Sequence, residues 1–462
     1  MGWNEFIQTI DFEKIKSIRK GVKDENMEEG LKVRNFLKYF LKKLQNENEF
    51  LKTYEISVNQ APTQQFWSEG NGFRVGFYKG ESYKDSTQIN LTIGASWGGG
   101  IFIKDNENLI FGNFKLLSSF EKQYCNLNFN KIEKHIGAIW FQNKIGKLPN
   151  EKEVIIVIKK LSEIFEIMIK VNKMKEKINI VEYQKQIILQ GPPGTGKTRL
   201  AKQIANFIIN GDTSPEISQN KKQIKLIQFH PSYSYEDFVR GIVAKANGTQ
   251  IEYKAEDKIL AEMAIKAKET LKEKGYYDTA NKDEKDKILK EVPKYILIID
   301  EINRANLSSV LGELIYALEY RDEAVESMYE VDGSKEIILP SNLYIIGTMN
   351  TADRSIGHID YAIRRRFAFE SILPDEESIN LQKGKELFNK IKNLFKTDGN
   401  KIASTLSPEF NPDDVMLGHS YFIADNEEEL ENKLKYQVIP LLKEYVKDGV
   451  LNESALKEIE SL

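Results

Sequence analysis

The run Ile187-Ile-Leu-Gln-Gly191-Pro192-Pro193-Gly194-Thr195-Gly196-Lys197-Thr198 constrains this chain more than any other. An apolar stretch ends in a glycine-rich turn, and Arg199-Leu-Ala-Lys-Gln-Ile-Ala opens a helix straight after it. A G-x-x-x-x-G-K-[ST] spacing in register with a strand before and a helix after is that of a phosphate-binding loop. Its glycines let backbone N–H groups curl around phosphate oxygens, and the helix N-terminus adds partial positive charge. The nine residues from Gly191 to Arg199 are therefore the expected nucleotide-binding set. Lys197 is expected to bridge β- and γ-phosphate, and Thr198 to ligate Mg²⁺. A second glycine cluster, Gly98-Gly99-Gly100, has no Lys and Ser/Thr behind it and reads as a turn.

Downstream, strand-like apolar runs recur at Lys225–Phe229, Tyr295–Asp300, Leu343–Met349 and Phe367–Leu373, separated by helical stretches. That alternation predicts a mostly parallel sheet with helices on both faces. Residues 245–292 are rich in Lys and Glu and read as a helical insertion with a solvated face. From about Glu376 to Leu462 the apolar spacing is helical, which suggests a small all-α lid. Upstream, 31–50 reads as an amphipathic helix with Leu31, Phe36, Leu37, Phe40 and Leu44 on one face. Short strands follow between Tyr54 and Phe111, and 115–145 returns to a helical, aromatic-rich pattern. The expected organisation is an α+β domain at 1–150, a connector helix at 151–180, an α/β nucleotide-binding domain at 181–373 and a helical lid at 374–462.

Tyr295-Ile-Leu-Ile-Ile-Asp300-Glu301 has the form of a Walker B strand, about 100 residues after the loop. Asp300 would then hold the Mg²⁺ shell, and Glu301 would polarise the attacking water. Leu343-Tyr-Ile-Ile-Gly-Thr-Met349-Asn350 is another buried strand ending in a polar residue, and Asn350 can hold that water in line. Asp353 and Arg354 follow, and then Arg364-Arg365-Arg366 just before the last strand. Three arginines there are either a solvated patch or a finger facing a neighbouring subunit's nucleotide. Arg365 and Arg366 are the candidates taken forward.

Four further stretches carry a resemblance: Phe229-His-Pro-Ser-Tyr-Ser-Tyr-Glu-Asp-Phe238, Asp300-Glu-Ile-Asn-Arg-Ala-Asn306, Met349-Asn-Thr-Ala-Asp-Arg-Ser355 and Gly418-His-Ser-Tyr-Phe422. Together, over about residues 180–450, the chain resembles the McrB family, AAA+ motor subunits of McrBC modification-dependent restriction systems. The resemblance implies an AAA+ fold, GTP hydrolysis with Mg²⁺, a homo-hexameric ring, and anti-phage action on DNA with a separate McrC-type nuclease subunit. It also makes Asn350 and Asp353 signature residues of the hydrolytic site. The residues themselves leave ATP open as the nucleotide. They also leave open an alternative function, an ATP-driven remodeller of protein complexes whose front domain binds protein.

Composition narrows the setting. The net charge is -3, which argues against a globally basic nucleic-acid binder, yet residues 1–150 hold 21 Lys+Arg against 17 Asp+Glu. A mildly basic front suits DNA contact, through phosphate-binding Arg74, Lys79, Lys84 and Lys104, and a modified base could stack on Trp67, Tyr78, Tyr83, Trp97 or Trp140. The same residues suit ordinary strand surfaces and core. Cys125 is the single cysteine, Met1–Phe6 carries no apolar signal core, and apolar runs fall far short of the roughly 18 residues of a membrane span. A cytoplasmic location without membrane partners is the expectation. The four histidines lie at 135, 230, 358 and 419 without metal-ligand spacing, and no nuclease constellation stands out, so cleavage would need a partner chain.

Overall fold

The computed structural model describes residues 27–47, residue 52, the backbone of six strands between 55 and 139, and residues 174–462 except 212, 218–221, 248–249, 354–358 and 398–400. Two compact units divide the chain. One comprises residues up to Lys175 with Asn210–Thr213; the other comprises Glu176–Ile209 and Ser214–Leu462.

In the first unit, the helix Met27–Glu47 buries Phe36, Phe40, Leu41 and Leu44, with Phe36 and Phe40 stacked at 5.9 Å between ring centroids. The i, i+4, i+8 spacing of Phe36, Phe40 and Leu44 puts them on one face. The strands are β1 (Glu55–Val58), β2 (Phe73–Tyr78), β3 (Gln88–Gly94), β4 (Gly98–Lys104), β5 (Phe129–Ile132) and β6 (His135–Ile139). They form one antiparallel sheet in the order β1-β2-β3-β4-β6-β5. Two expectations are corrected here. Gly98–Gly100 open strand β4, paired with Gly94, Ile93 and Thr92, rather than forming a turn. Phe129–Ile132 and His135–Ile139 form a strand pair rather than helix, because pairing with β4 overrides a weak local pattern. Trp67, Lys79, Tyr83, Lys84, Trp97 and Trp140 lie outside the described residues. For Arg74, Tyr78 and Lys104 only the strand backbone is described.

The second unit is built on a five-stranded, all-parallel sheet: β7 (Gln186–Gly191), β8 (Ile224–Gln228), β11 (Tyr295–Asp300), β14 (Leu343–Asn350) and β15 (Ala368–Ser371). The order is β15-β7-β14-β11-β8. Strands β7, β11 and β14 sit inside the sheet, and Ile187–Leu189, Ile296–Ile299 and Leu343–Ile346 are buried on both faces. Continuous Ile/Leu runs are what a strand covered on both sides by helices requires. All three end at the same edge, so the phosphate-binding loop, Asp300-Glu301 and Asn350 meet there.

Two hairpins interrupt the alternation. β9 (Arg240–Asn247) pairs with β10 (Gln250–Asp257), and β12 (Ala324–Val331) pairs with β13 (Ser334–Ile338). The expected helical insertion at 245–292 is thus part hairpin and part helix. Among its described residues Ile259–Glu273 and Lys282–Glu291 are helical, the first burying Leu260, Met263, Ala264, Ala267 and Leu271. The buried Arg240 ties the hairpins together. Its guanidinium donates to Asp257 (2.7 Å) and to the carbonyls of Tyr329, Ser334 and Glu336 (3.1–3.4 Å). Tyr235, in the short helix Tyr235–Phe238, donates to Glu313 at 2.5 Å and shares a 2.9 Å hydrogen bond with Ser327 of β12. Phe229, which leads into that helix, donates its N–H to the Asp300 carbonyl at 3.0 Å.

The lid has its own core, including Leu387, Phe388, Ile391, Phe395, Phe422, Leu442 and Ile459. It is mainly helical, as expected, with a two-residue strand pair at Lys396–Thr397 and Lys401–Ile402 and an antiparallel bridge between Leu406 and Leu451. Among the described residues no helix is long and apolar enough to cross a membrane.

Candidate functional site

The loop from Gly191 to Gly196 turns between β7 and the helix Lys197–Asn210. Thr195 steadies it by donating its hydroxyl to the Pro192 carbonyl at 3.1 Å. Lys197 is buried, and its ammonium donates to the carbonyls of Gly191 (2.9 Å) and Pro192 (2.8 Å). Burial pushes this ammonium down to about 8, against the opposing pull of Glu301 and Asp300. Arg199 is exposed on the first turn of the helix.

Thr198 donates its hydroxyl to Asp300 Oδ1 at 2.6 Å, and Thr348 of β14 donates to the same oxygen at 2.5 Å. These hard oxygen donors fit Mg²⁺, which takes one or two protein oxygens and completes its shell with phosphates and water. Thr198 and Asp300 are the candidate ligands because their oxygens meet directly beside the phosphate-binding loop.

Glu301 takes a left-handed backbone conformation (φ 53°, ψ 46°) and turns the chain into the single 3-10 turn Ile302–Arg304. Its Oε1 accepts from Asn350 Nδ2 at 2.6 Å, and its own N–H lies 3.3 Å from Thr348 Oγ1. Asn303, buried in that turn, reaches the Asn350 carbonyl at 3.4 Å. The turn can sit this close to β14 because position 347 is glycine. A Cβ there would lie 2.9 Å from Ile302 Cδ1 and 3.2 Å from Ile188 Cγ1. Arg304 places Nε 3.3 Å from Glu301 Oε2, and its Nη2 lies 3.6 Å from Asp353. Residues 354–358, including Arg354 and His358, lie outside the described residues.

The lid closes on the loop through main chain. Gly418 N–H donates to the Pro193 carbonyl (2.9 Å), and Ser420 N–H donates to the Gly194 carbonyl (3.0 Å). A Cβ on Gly418 would fall 2.0–2.4 Å from backbone atoms of Gly194 and Thr195, and one on Gly194 would strike the Tyr421 ring at 2.6 Å. His419 Nδ1 accepts from the Asp375 N–H at 3.1 Å. Burial lowers the pKa of this imidazole and Arg199 adds to the effect, while Asp375 opposes them. A second tie joins Thr351 Oγ1 to the Asp414 carbonyl at 2.7 Å.

The three arginines before β15 separate clearly. Arg366 is nearly buried, 2.9 Å from Glu319, and donates to the Ala362 carbonyl at 2.8 Å. Arg364 lies over the Phe369 ring at 4.9 Å. Arg365 is 67 % exposed, with only a 3.7 Å approach to Glu319.

The loop, Asp300, Glu301 and Asn350 thus converge on one edge. Asp353 joins them through Arg304, and Arg365 and Arg366 meet at Glu319 instead. Sequence reasoning missed Arg304, Thr348 and the main-chain docking of Gly418 and Ser420. The i, i+3 spacing of Glu301 and Arg304 was a usable signal for the first. No side-chain pattern announces a contact made by backbone groups.

Comparisons with known proteins agree with this geometry. Residues 186–367 match the AAA domain of the dynein-related subfamily, and residues 400–450 match the alpha-helical lid domain of McrB. The chain is 36% identical over 287 residues to the EcoKMcrB subunit of the type IV methyl-directed restriction enzyme of Escherichia coli K12, covering 57% of this chain and 54% of that protein. It is 28% identical over 287 residues to YdiS, a component of the type II restriction enzyme BsuMI of Bacillus subtilis 168, covering 56% of this chain and 78% of that protein. The chain therefore spans about half the length of the first relative. A solved structure from Cytophaga hutchinsonii aligns over 63% of this chain and 69% of its own at 15% identity, but its TM-score of 0.27 carries no argument.

Proposed function

Because the chain belongs to the McrB family through its AAA domain and lid, we propose that it is a GTP-hydrolysing motor subunit of a modification-dependent restriction system. The observation that carries this reading is the paired geometry at the sheet edge. Thr198 and Asp300 meet at 2.6 Å, and Glu301 and Asn350 meet at 2.6 Å beside them, under a lid docked on the phosphate-binding loop.

In this reading the loop amides and Lys197 hold the phosphate chain, and Lys197 turns from the loop carbonyls to the β- and γ-phosphates. Bound Mg²⁺, held through Thr198 and Asp300, would neutralise charge developing on the phosphates. Asn350 orients a water, and Glu301 accepts its proton as the water oxygen bonds to the γ-phosphorus and the bond to the leaving diphosphate breaks. Asp353 belongs to the same site. The geometry favours Arg365 over Arg366 as an arginine offered to a neighbouring subunit, since Arg366 is held inside its own chain. A homo-hexameric ring, as the family resemblance implies, would bring that arginine to each neighbouring site. Residues 1–150, with a separate sheet and a small positive excess, would recognise modified DNA. Cutting would fall to an McrC-type nuclease.

The test is hydrolysis by the full chain with GTP and with ATP, each with and without methylated DNA, alongside the mass of the nucleotide-bound assembly. GTP turnover by a ring, raised by methylated DNA, is expected. Turnover of ATP alone, indifferent to DNA, would favour a remodeller of protein complexes instead.

A further inference from the structure

The water-activating carboxylate is gripped from both sides. Asn350 Nδ2 holds Glu301 Oε1 at 2.6 Å, and Arg304 Nε approaches Oε2 at 3.3 Å. Arg304 comes from the 3-10 turn that Glu301 itself starts, so the guanidinium reaches back over one turn. Its far nitrogen, Nη2, lies 3.6 Å from Asp353, just beyond the end of β14. Asn350 ends β14 and Asp353 follows it by three residues, while Glu301 and Arg304 are three apart on one turn. The four side chains form a run from Asp353 through Arg304 to Glu301 and on to Asn350. The turn is locked beneath by the fully buried Ile302 against Gly347, and Asn303 ties it to the Asn350 carbonyl. The turn that carries Glu301 and Arg304 is therefore held against β14, while the Arg304 side chain is 40 % exposed.

We propose that Arg304 is a positioning residue for hydrolysis, and that Asp353 acts through Arg304 on Glu301 rather than on the nucleotide. The guanidinium has donors enough to serve two carboxylates at once, which a lysine ammonium does with less directional control. Held by Arg304 and Asn350 together, the Glu301 carboxylate has its plane set by two donors from different elements. Losing Arg304 leaves it held by Asn350 alone. Losing Asp353 leaves Arg304 without its second anchor, and the same carboxylate drifts. The two losses are one lesion. This rests on the reading of Glu301 as the group that accepts the water proton.

The experiment is a double-mutant cycle in the full chain, with steady-state hydrolysis of GTP and ATP and binding of a fluorescent N-methylanthraniloyl nucleotide. Misplacing a reacting group by about 1 Å costs on the order of 10²-fold, so Arg304→Ala is expected to lower kcat by about 10- to 100-fold. KM and affinity for the fluorescent nucleotide should stay within about threefold, since ground-state binding is untouched. Arg304→Lys should recover part of kcat. Asp353→Asn should lose kcat in the same way, and the double variant should be no slower than the slower single one. An unchanged kcat in Arg304→Ala, or losses that multiply in the double variant, would overturn the proposal. Glu301→Gln is read separately: turnover at the parent rate would overturn the role of Glu301 itself, whatever the cycle between Arg304 and Asp353 gives.

Discussion

Replacing Gly418 by alanine isolates the contact between lid and loop. The backbone at Gly418 (φ -74°, ψ 162°) suits any residue, so alanine brings no conformational strain there. What it brings is a methyl group 2.0 Å from the Gly194 carbonyl carbon, 2.1 Å from its oxygen and 2.4 Å from Thr195 N. All three are backbone, so no side chain can turn aside, and the lid must back away from the loop. Two main-chain hydrogen bonds go with it, Gly418 to Pro193 and Ser420 to Gly194. At about 0.5–1.5 kcal/mol each, their loss costs about 1–3 kcal/mol. If the docked lid is the nucleotide-binding form, that is about a 5- to 150-fold loss of affinity. Titration with a fluorescent nucleotide measures it, and the thermal shift on adding nucleotide should shrink in parallel. Ser420→Ala, which keeps both main-chain bonds, is the control and should stay near the parent value. A Gly418→Ala chain with parent affinity and parent thermal shift would refute the idea that the lid shapes the loop.

Lys197→Ala should abolish tight nucleotide binding, because it removes the buried cation of the loop; affinity within a few fold of the parent, by the same titration, would contradict this. Since burial brings the Lys197 ammonium down to about 8, the binding form is complete below that pH and is lost above it. Affinity should therefore hold from pH 6 to 7 and fall by about tenfold between pH 7 and 9, a dependence absent from Lys197→Ala. Asp300→Asn should slow Mg²⁺-dependent turnover and raise the Mg²⁺ concentration needed for half-maximal rate; an unchanged Mg²⁺ titration would remove Asp300 from the metal site. Mixing inactive Lys197→Ala chains with Arg365→Ala chains should restore some hydrolysis, because each supplies what the other lacks across a subunit boundary. No recovery at any ratio, in assemblies of confirmed mass, would argue against an arginine acting between subunits.

The nucleotide-binding domain was legible in the sequence where a local rule and a long-range requirement coincide. The apolar runs of β7, β11 and β14 read as buried strands because strands covered on both faces have no polar alternation to confuse the pattern, and their ends then fixed the site. Legibility failed where pairing partners decide. The hairpin β9–β10 was hidden by its Lys and Glu content, although Ile251, Tyr253 and Ala255 alternate with Glu252, Lys254 and Glu256, and Asn247-Gly248 is a turn signal. Gly98–Gly100 entered a strand because a neighbouring strand supplies hydrogen bonds that glycine cannot attract by propensity. The arginines at 364–366 are identical in type and adjacent in sequence. Only the positions of Glu319 and Phe369, set by distant packing, tell them apart.

The clamp made by Arg240 has a mechanical side. Four acceptors on three strands share one guanidinium, so neither hairpin can slide against the other without stripping a buried cation of partners. The pair is tied to the short helix that carries Tyr235 through the hydroxyls of Tyr235 and Ser327. That helix follows Phe229, whose N–H grips the carbonyl of Asp300. The hairpins thus connect to Asp300 through hydrogen bonds at each end and, between them, through the turn at 230–234, where the Tyr233 ring stacks on Phe229 at 4.7 Å.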